Sequence, residues 1–165
     1  MALACAVTEI ASGSALGNGP SIIRGLPPLE LGMSVEQFLN AVPAEEISAA
    51  GVDRVFSVIG RRINVTGVLC KFTKGRLSRI EVSYSVDYTS RVPWKDFLAG
   101  TKREYGSGFH LNTQTGDMEM WDDGRTTLIL ERRMVTLRER SYVITLLDDA
   151  IALERNERCA PRIAV

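Results

Sequence analysis

The chain has 165 residues, a length that fits one domain, and 45% of them are hydrophobic and 24% charged, ordinary values for a globular protein. Twenty basic and twenty acidic residues give a net charge of zero. The basic excess of nucleic-acid-binding proteins is therefore missing, and no apolar run approaches the ~18 residues of a membrane-spanning helix, so we expect neither a nucleic-acid partner nor a transmembrane helix.

The N-terminal stretch MALACAV is apolar and lacks the charged start of a complete secretory signal. Ala2-Leu3-Ala4-Cys5 nevertheless resembles the processing box of bacterial lipoproteins, in which small residues precede the lipidated cysteine, so Cys5 is a candidate lipid-anchor site. The other interpretation is a mobile N-terminus with an incidental cysteine. Glycine, serine, alanine and proline are frequent between residues 6 and 28, and we predict a flexible leader over residues 1–28.

A helix is predicted where order begins. Ser34 is a favourable N-cap and Gln37, three residues later, completes a capping box. Apolar residues recur at helical spacing and predict one buried stripe: Val35, Phe38, Leu39 and Val42. Pro43 ends the helix, and residues 44–52 are predicted to be a loop or a short second turn.

The residues around this helix start resemble a family of envelope proteins. Its members include the small outer-membrane assembly lipoproteins of the SmpA/OmlA type and the beta-lactamase inhibitory proteins. The matching positions are Leu29, Gly32, Met33, Ser34, Gln37 and Phe38. The resemblance implies non-catalytic protein binding by a sheet face in the bacterial envelope, with no catalytic residues.

Strands and one more helix fill the rest of the domain, which we place at residues 29–150. Alternating apolar residues predict strands near 53–60, 63–73, 80–86, 117–122, 125–135 and 141–147. The second helix spans residues 92–106, with Pro93 in its first turn and Gly106 as its C-terminal cap. Residues 107–116 are predicted to be a polar loop, and residues 151–165 a C-terminal tail. We therefore predict an α+β, two-layer sandwich of two helices on an antiparallel sheet of about six strands.

Two stretches align without a gap, FTKGRLSRI from Phe72 and WDDGRTTLI from Trp121. The helices before them also correspond, so the chain is predicted to contain two copies of a helix-strands unit. Asp123-Gly124 then takes the place of Lys74-Gly75, and we expect a two-residue hairpin turn there, because glycine supplies the positive φ that such turns need.

The acidic turns leave a second function open, a small enzyme or metal-binding protein. Its ligands for a divalent cation would be Asp122, Asp123, Asp148 and Asp149, with Glu119 nearby. Aspartate at a strand end more simply caps a following helix, which we expect for Asp148-Asp149. His110 is the only histidine, too little for strong general acid–base or metal chemistry. We predict no cofactor, no metal and no catalytic group.

Two further patterns leave alternatives open. Cys70 and Cys159 could pair in an oxidising compartment, although the strand pattern favours Cys70 as a small buried hydrophobe and Cys159 as a free thiol. Around the last predicted hairpin, arginines alternate with Glu131 and Glu139, which fits either a sheet edge guarded by charge or a protein-binding edge. The arginines are Arg132, Arg133, Arg138 and Arg140.

The sequence therefore favours a non-enzymatic protein-binding domain, tethered to an envelope membrane if Cys5 is lipidated and cytoplasmic otherwise. Candidate contacts are the exposed members of a polar set on the sheet: Glu81, Ser83, Arg125 and Thr127. A cytosolic secretion-partner or ligand-binding domain, with an apolar cleft between helices and sheet, is the third possibility.

Overall fold

The computed structural model describes residues 21–60, 62–113, 116–136 and 139–153. This part of the chain forms an eight-stranded antiparallel sheet in the order β3-β4-β5-β6-β10-β9-β8-β7, a separate β1-β2 pair and four helices. The predicted α+β class and antiparallel sheet are confirmed, but two helices and six strands were too few. The strands are β1 (Gly25–Leu26), β2 (Leu29–Glu30), β3 (Ala44–Ala50), β4 (Asp53–Val58), β5 (Val65–Thr73), β6 (Arg76–Tyr84), β7 (Phe109–Thr113), β8 (Gly116–Asp122), β9 (Thr126–Met134) and β10 (Arg140–Asp148); the helices are α1 (Val35–Ala41), α2 (Val86–Arg91), α3 (Trp94–Tyr105) and α4 (Asp149–Leu153).

The sheet consists of two similar halves. In each half a helix, α1 or α3, precedes four strands that pair consecutively, β3 to β6 in the first unit and β7 to β10 in the second. The units join where β6 pairs antiparallel with β10, for example Val82 opposite Ile144. The last strand of each unit therefore lies at the centre of the sheet, and the first strands, β3 and β7, are its two edges.

Helix α1 starts as its sequence predicts and anchors the core of the first unit. Ser34 accepts a hydrogen bond from the backbone N–H of Gln37, and the Gln37 side chain accepts one from the N–H of Ser34. Phe38 is fully buried, with its ring 5.4 Å from that of Phe56 and 5.1 Å from that of Phe72. Leu39, predicted to be buried, is 46% exposed, because this short helix turns only part of its apolar stripe to the sheet.

Helix α3 covers the junction of the two units, where β6 pairs with β10, through an aromatic cluster. The Phe97 ring lies 5.3 Å from that of Tyr84 on β6 and 4.7 Å from that of Tyr142 on β10. Gly106 ends the helix with φ 78° and accepts a hydrogen bond of 3.0 Å from the indole N–H of Trp121 on β8. Helices α1 and α3 thus pack on the same side of the sheet, and the core lies between them and the strands.

Three segments that the sequence predicts to lack regular secondary structure contain strands. Residues 44–52 contain β3 and residues 107–116 contain β7, so both loop predictions were wrong. Most side chains of these edge strands are exposed. Strand β3 lacks the apolar alternation that marks a strand with one buried face, and β7 shows it only at Phe109 and Leu111. Residues 21–28, placed in the predicted leader, hold β1 and the buried side chain of Ile22.

The two-unit organisation exists, but the gapless alignment matched hairpins that are not equivalent. The hairpin of Lys74-Gly75 joins β5 to β6, the third and fourth strands of its unit, whereas Asp123-Gly124 lies between β8 and β9, the second and third. The central residues also differ. Lys74 and Gly75 both have positive φ, as a type I′ turn requires, while Asp122 pairs with Thr127 around a turn whose positive φ lies at Gly124.

Candidate functional site

The sheet has one face covered by α1 and α3 and a second face that we call the outer face. Side chains alternate between the faces of a strand. Because Val82 and Tyr84 of β6 point into the core, Glu81 and Ser83 lie on the outer face. Arg79 is two residues from Glu81 on the same strand and shares this face. Leu147 pairs with Arg79 and Thr127 pairs with Leu147, so Thr127 also lies on the outer face.

A row of ion pairs crosses the centre of the outer face. Glu81 on β6 pairs with Arg79 of the same strand and, at 3.4 Å, with Arg133 on β9. Arg133 also binds Glu131 at 2.7 Å. The hydrogen bonds from Arg133 to Glu131 are the main cause of the raised pKa of Arg133, with partial burial acting in the opposite direction. Each charge in the row has a partner of opposite sign, so the row is electrically balanced.

An apolar surface borders this row at the β7 edge. Phe109 pairs with Met120 and Leu111 with Met118, so all four side chains share the outer face. Phe109 is 62% exposed and the other three are half-buried. We call these four residues the β7–β8 patch. Sequence reasoning missed it because β7 was assigned to a loop; the alternation of Phe109 with Leu111 and of Met118 with Met120 was the available signal.

The four predicted contact residues are only partly brought together. Glu81 and Ser83 are half-buried on the outer face, and Thr127 is 7% exposed, with its hydroxyl donating to Asp149 at 2.8 Å. Arg125 is the exposed member of the set. It lies in the β8–β9 turn at one end of the sheet, away from the charged row.

The acidic turn forms a hairpin, as the sequence predicts, but the predicted two-residue turn was wrong: Asp122 pairs with Thr127, so four residues connect the strands. The carboxylates of the turn accept hydrogen bonds from backbone N–H groups. Asp123 accepts hydrogen bonds from the N–H groups of Arg125 at 3.0 Å and Thr126 at 2.7 Å through Oδ1, and from that of Ile22 at 2.7 Å through Oδ2. Asp122 accepts from the N–H of Gly124 at 2.6 Å. Asp123 therefore fixes both its own turn and the segment before β1.

The aspartates at the end of β10 have separate roles. Asp148 pairs with Arg24 and caps α4 by accepting from the N–H of Ile151 at 3.2 Å, which confirms the predicted cap. The pKa of Asp149 is raised, first by burial and then by the neighbouring Asp122, Asp123 and Asp148, while the Thr127 hydroxyl opposes the shift. Among the described residues, no group of three or more histidine, cysteine or acidic side chains is arranged to hold a metal ion.

His110 lies on β7 rather than in a loop, and its exposed ring faces a buried acid. Its Nδ1 is 3.6 Å from Glu119, which is 3% exposed and pairs with Lys102 of α3 at 2.7 Å. The Lys102 ion pair compensates the buried carboxylate and ties α3 to β8.

Cys70 has a fully buried side chain on β5 and a free thiol whose pKa burial raises to about 12. Its candidate disulfide partner, Cys159, and the candidate lipidation site, Cys5, both lie outside the described residues.

The arginine-rich hairpin is not at a sheet edge, so both interpretations of it as an edge were wrong. Strands β9 and β10 each have a neighbour on both sides. Arg132 points to the helix-covered side and pairs with Asp117, whereas Arg133 belongs to the charged row. Arg138 falls outside the described residues.

Comparison of the chain with protein-family models, with curated proteins and with solved structures finds no match. In the part of the chain that the structure describes, no helix is long and apolar enough to cross a membrane.

Proposed function

We propose that this chain is a non-enzymatic protein-binding domain whose partner adds an extended segment to the β7 edge. One observation carries the proposal: among the described residues, β7 is an edge strand without the usual protection, and it supplies Phe109 and Leu111 to the β7–β8 patch. An exposed strand edge offers backbone donors and acceptors to a new strand, and an adjacent apolar surface accepts alternate side chains of that strand.

The contrast between the two sheet edges supports this proposal. Edge strands are commonly guarded by charges, proline or bulges. Strand β3 carries Glu45 and Glu46 and has a register shift between Glu46 and Ser48. Strand β7, with sequence FHLNT, has no acidic residue, lysine, arginine or proline, and it keeps an unbroken register with β8 from Phe109 to Thr113. Of the two edges, β7 is the better template for pairing.

The chemistry of the surface also indicates the kind of partner. Phenylalanine, methionine and arginine are enriched in protein interfaces, and the row next to the patch is balanced in charge. A strongly charged partner gains no net electrostatic attraction from a surface whose positive and negative charges balance. The partner segment is therefore expected to be an extended peptide with apolar side chains at alternate positions.

The proposal can be tested by site-specific photo-crosslinking. A photoreactive phenylalanine analogue replaces Phe109, or Ile63 as the matched control, which is 83% exposed on the β4–β5 connection. In cells of the natural host, position 109 should capture a defined protein that position 63 does not. Equal capture at both positions would contradict binding at the β7 edge.

Titration of the captured protein then tests the mechanism. Phe109→Ala should weaken binding about tenfold or more, as for a central apolar contact, and Asn112→Lys should weaken it by placing a charge on the edge. Two control variants make the same changes away from β7. Ile63→Ala removes an exposed apolar side chain and Ser48→Lys places a charge on the β3 edge, and each should leave the Kd within about twofold. If Phe109→Ala has no more effect than these controls, the β7 edge is not the binding surface.

The location of the domain is a separate proposal. We infer an envelope protein anchored through Cys5, supported by the lipoprotein-like Ala2-Leu3-Ala4-Cys5 box and the resemblance near α1. The two similar helix-and-four-strand units are compatible with duplication of one ancestral unit. Intact mass of the protein expressed from its natural locus tests the anchor: cleavage before Cys5 with added acyl chains supports it, and an unmodified chain that keeps Met1 rules it out.

A further inference from the structure

An open groove of about 660 Å³ lies at one end of the sheet and shares no lining residue with the β7–β8 patch. Its walls come from the segment around β1 and β2, the start of β6, the β8–β9 turn and the start of α4. Its volume falls in the range of roughly 300–1,000 Å³ that small-molecule sites occupy. The charged residues of the groove indicate the kind of ligand it can bind.

Three arginines line the groove and differ in how they are held. Arg24 is fixed by its ion pair with Asp148 and by a hydrogen bond of 3.0 Å to the Thr126 hydroxyl. Arg76 is exposed and donates one bond, at 3.2 Å, to the carbonyl of Gly32. Arg125 is exposed, and within the described ranges neither it nor Arg76 has an acidic partner in an ion pair.

The charge of the groove favours a single negative charge in the ligand. Its acidic residues are Asp148, already paired with Arg24, and Glu30. Three guanidinium groups against two carboxylates leave one positive charge. A metal cation is disfavoured by the arginines, and a polyphosphate carries more charge than they compensate. A carboxylate suits the remaining charge, and arginine can bind it with two parallel hydrogen bonds.

Apolar residues also line the groove, and we call them its apolar wall. Leu31 is 4% exposed, Met33 and Ile151 are half-buried, and Pro28 is exposed at the rim. The ligand is therefore expected to join its charge to an apolar body. Leu31 and Met33 belong to the segment whose backbone bonds Leu77 of β6 in both directions, Gly32 N–H to Leu77 O at 2.8 Å and Leu77 N–H to Met33 O at 2.9 Å. The apolar wall is thus held in place without the ligand.

We propose that this groove is a binding site for a carboxylate attached to an apolar group, with Arg125 and Arg76 binding the carboxylate and Met33 and Ile151 contacting the apolar part. Two sources share this chemistry, a free aliphatic carboxylate and the C-terminal residue of a peptide. The site uses none of the residues of the β7–β8 patch, so it stands or falls independently of the proposed function.

Calorimetric titration with octanoate, and with an acetylated Ala-Ala-Leu peptide that has a free C-terminal carboxylate, tests the proposal. Octylammonium, octanol and the C-terminally amidated peptide are the matched probes without the negative charge. At least one carboxylate should bind with saturation and its uncharged or cationic counterpart should not. Tighter binding of the peptide assigns the site to a peptide C-terminus, and tighter binding of octanoate assigns it to an aliphatic carboxylate. Absence of saturable binding by both overturns the proposal.

Two variants locate the bound carboxylate. Arg125→Ala and Arg76→Ala should each raise its Kd about tenfold or more, the effect of losing one charge-assisted hydrogen bond. Arg103→Ala, an exposed arginine on α3 outside the groove, should leave the Kd unchanged. Thermal melts of the variants verify that they fold. Binding that survives both groove substitutions, or that octanol matches, places the ligand elsewhere and overturns the assignment.

Discussion

The Asp149 carboxyl group lies where its charge is disfavoured. Its Oδ2 is buried and has no hydrogen-bond partner in the described structure, and burial is the largest cause of its raised pKa. Folding therefore raises this pKa above the unperturbed value of 3.8, so the folded state binds the proton more tightly than the unfolded chain. The contribution of Asp149 to stability falls as the pH rises from 3.8 through the folded pKa.

Asp149→Asn should accordingly stabilise the protein at pH 7, because it removes a charge that is partly desolvated while retaining an acceptor for the Thr127 hydroxyl. The gain should shrink as the pH is lowered and disappear below about 3.8, where the carboxyl is protonated in both states. Urea midpoints of both proteins at pH 7 and pH 4 measure the difference. A gain that is equal at both pH values would show that charge is not its cause.

The β8–β9 hairpin has a structural role beyond its own two strands, because Asp123 also receives the N–H of Ile22. Asp123→Ala removes the acceptor of three backbone N–H groups and should lower the free energy of unfolding by about 1–3 kcal/mol. Asp122→Ala, which removes the acceptor of one N–H, is the matched control and should cost less. Urea denaturation measures both; equal losses would mean that the additional hydrogen bonds of Asp123 contribute nothing to stability.

Elements with one buried face could be predicted from sequence, and exposed elements could not. The alternation of Ile80, Val82 and Tyr84 marks β6, and the stripe containing Phe38 marks α1, because burial of one face imposes a period on the chain. Strands β3 and β7 pair at the edges with few buried side chains. Strand β3 has no apolar period, and β7 has only the short alternation of Phe109 with Leu111. Since the β7–β8 patch depends on β7, it was missed for the same reason.

Contacts between residues that are far apart in the chain could not be predicted from the sequence either. Arg24, Arg76 and Arg125 are about fifty residues apart along the chain. The pairing of β6 with β10 brings the segments of Arg76 and Arg125 to one end of the sheet, and the ion pair with Asp148 holds Arg24 there. That pairing has no local signal, because both partners are ordinary buried strands. Arg125 is one of the predicted contact residues, but the prediction placed it on the face of the sheet and not in the groove at its end.

The two units share one core and should unfold together. A single cluster of buried side chains runs from Phe38 and Phe72 in the first unit to Leu128 and Trp121 in the second. Separate unfolding would expose the β6–β10 junction and split this cluster. A small domain with one core is expected to show a single cooperative transition.

The chain provides a probe in each unit for this prediction. Trp94 and Trp121 report on the second unit by fluorescence, and Cys70 reports on the first by its reaction with a thiol reagent in a Cys5→Ser, Cys159→Ser background. In the folded state Cys70 should be unreactive at pH 8, because its thiol is buried and its pKa is about 12. The two urea midpoints should coincide. Exposure of Cys70 at a lower urea concentration would mean that the units are energetically separate.

The central position of β6 and β10 also determines the order in which the sheet can be completed during synthesis. Ser83 and Val143 are paired across the middle of the sheet, yet every residue of the second unit up to β10 must be made before they can meet. Until then the first unit has β6 as a second unpaired edge, with the apolar side chains of Ile80 and Val82 on it. Loop closure over such a separation is slow, and an exposed strand edge is prone to aggregation in that interval. We therefore expect the nascent chain to be most prone to aggregation after its first half has emerged.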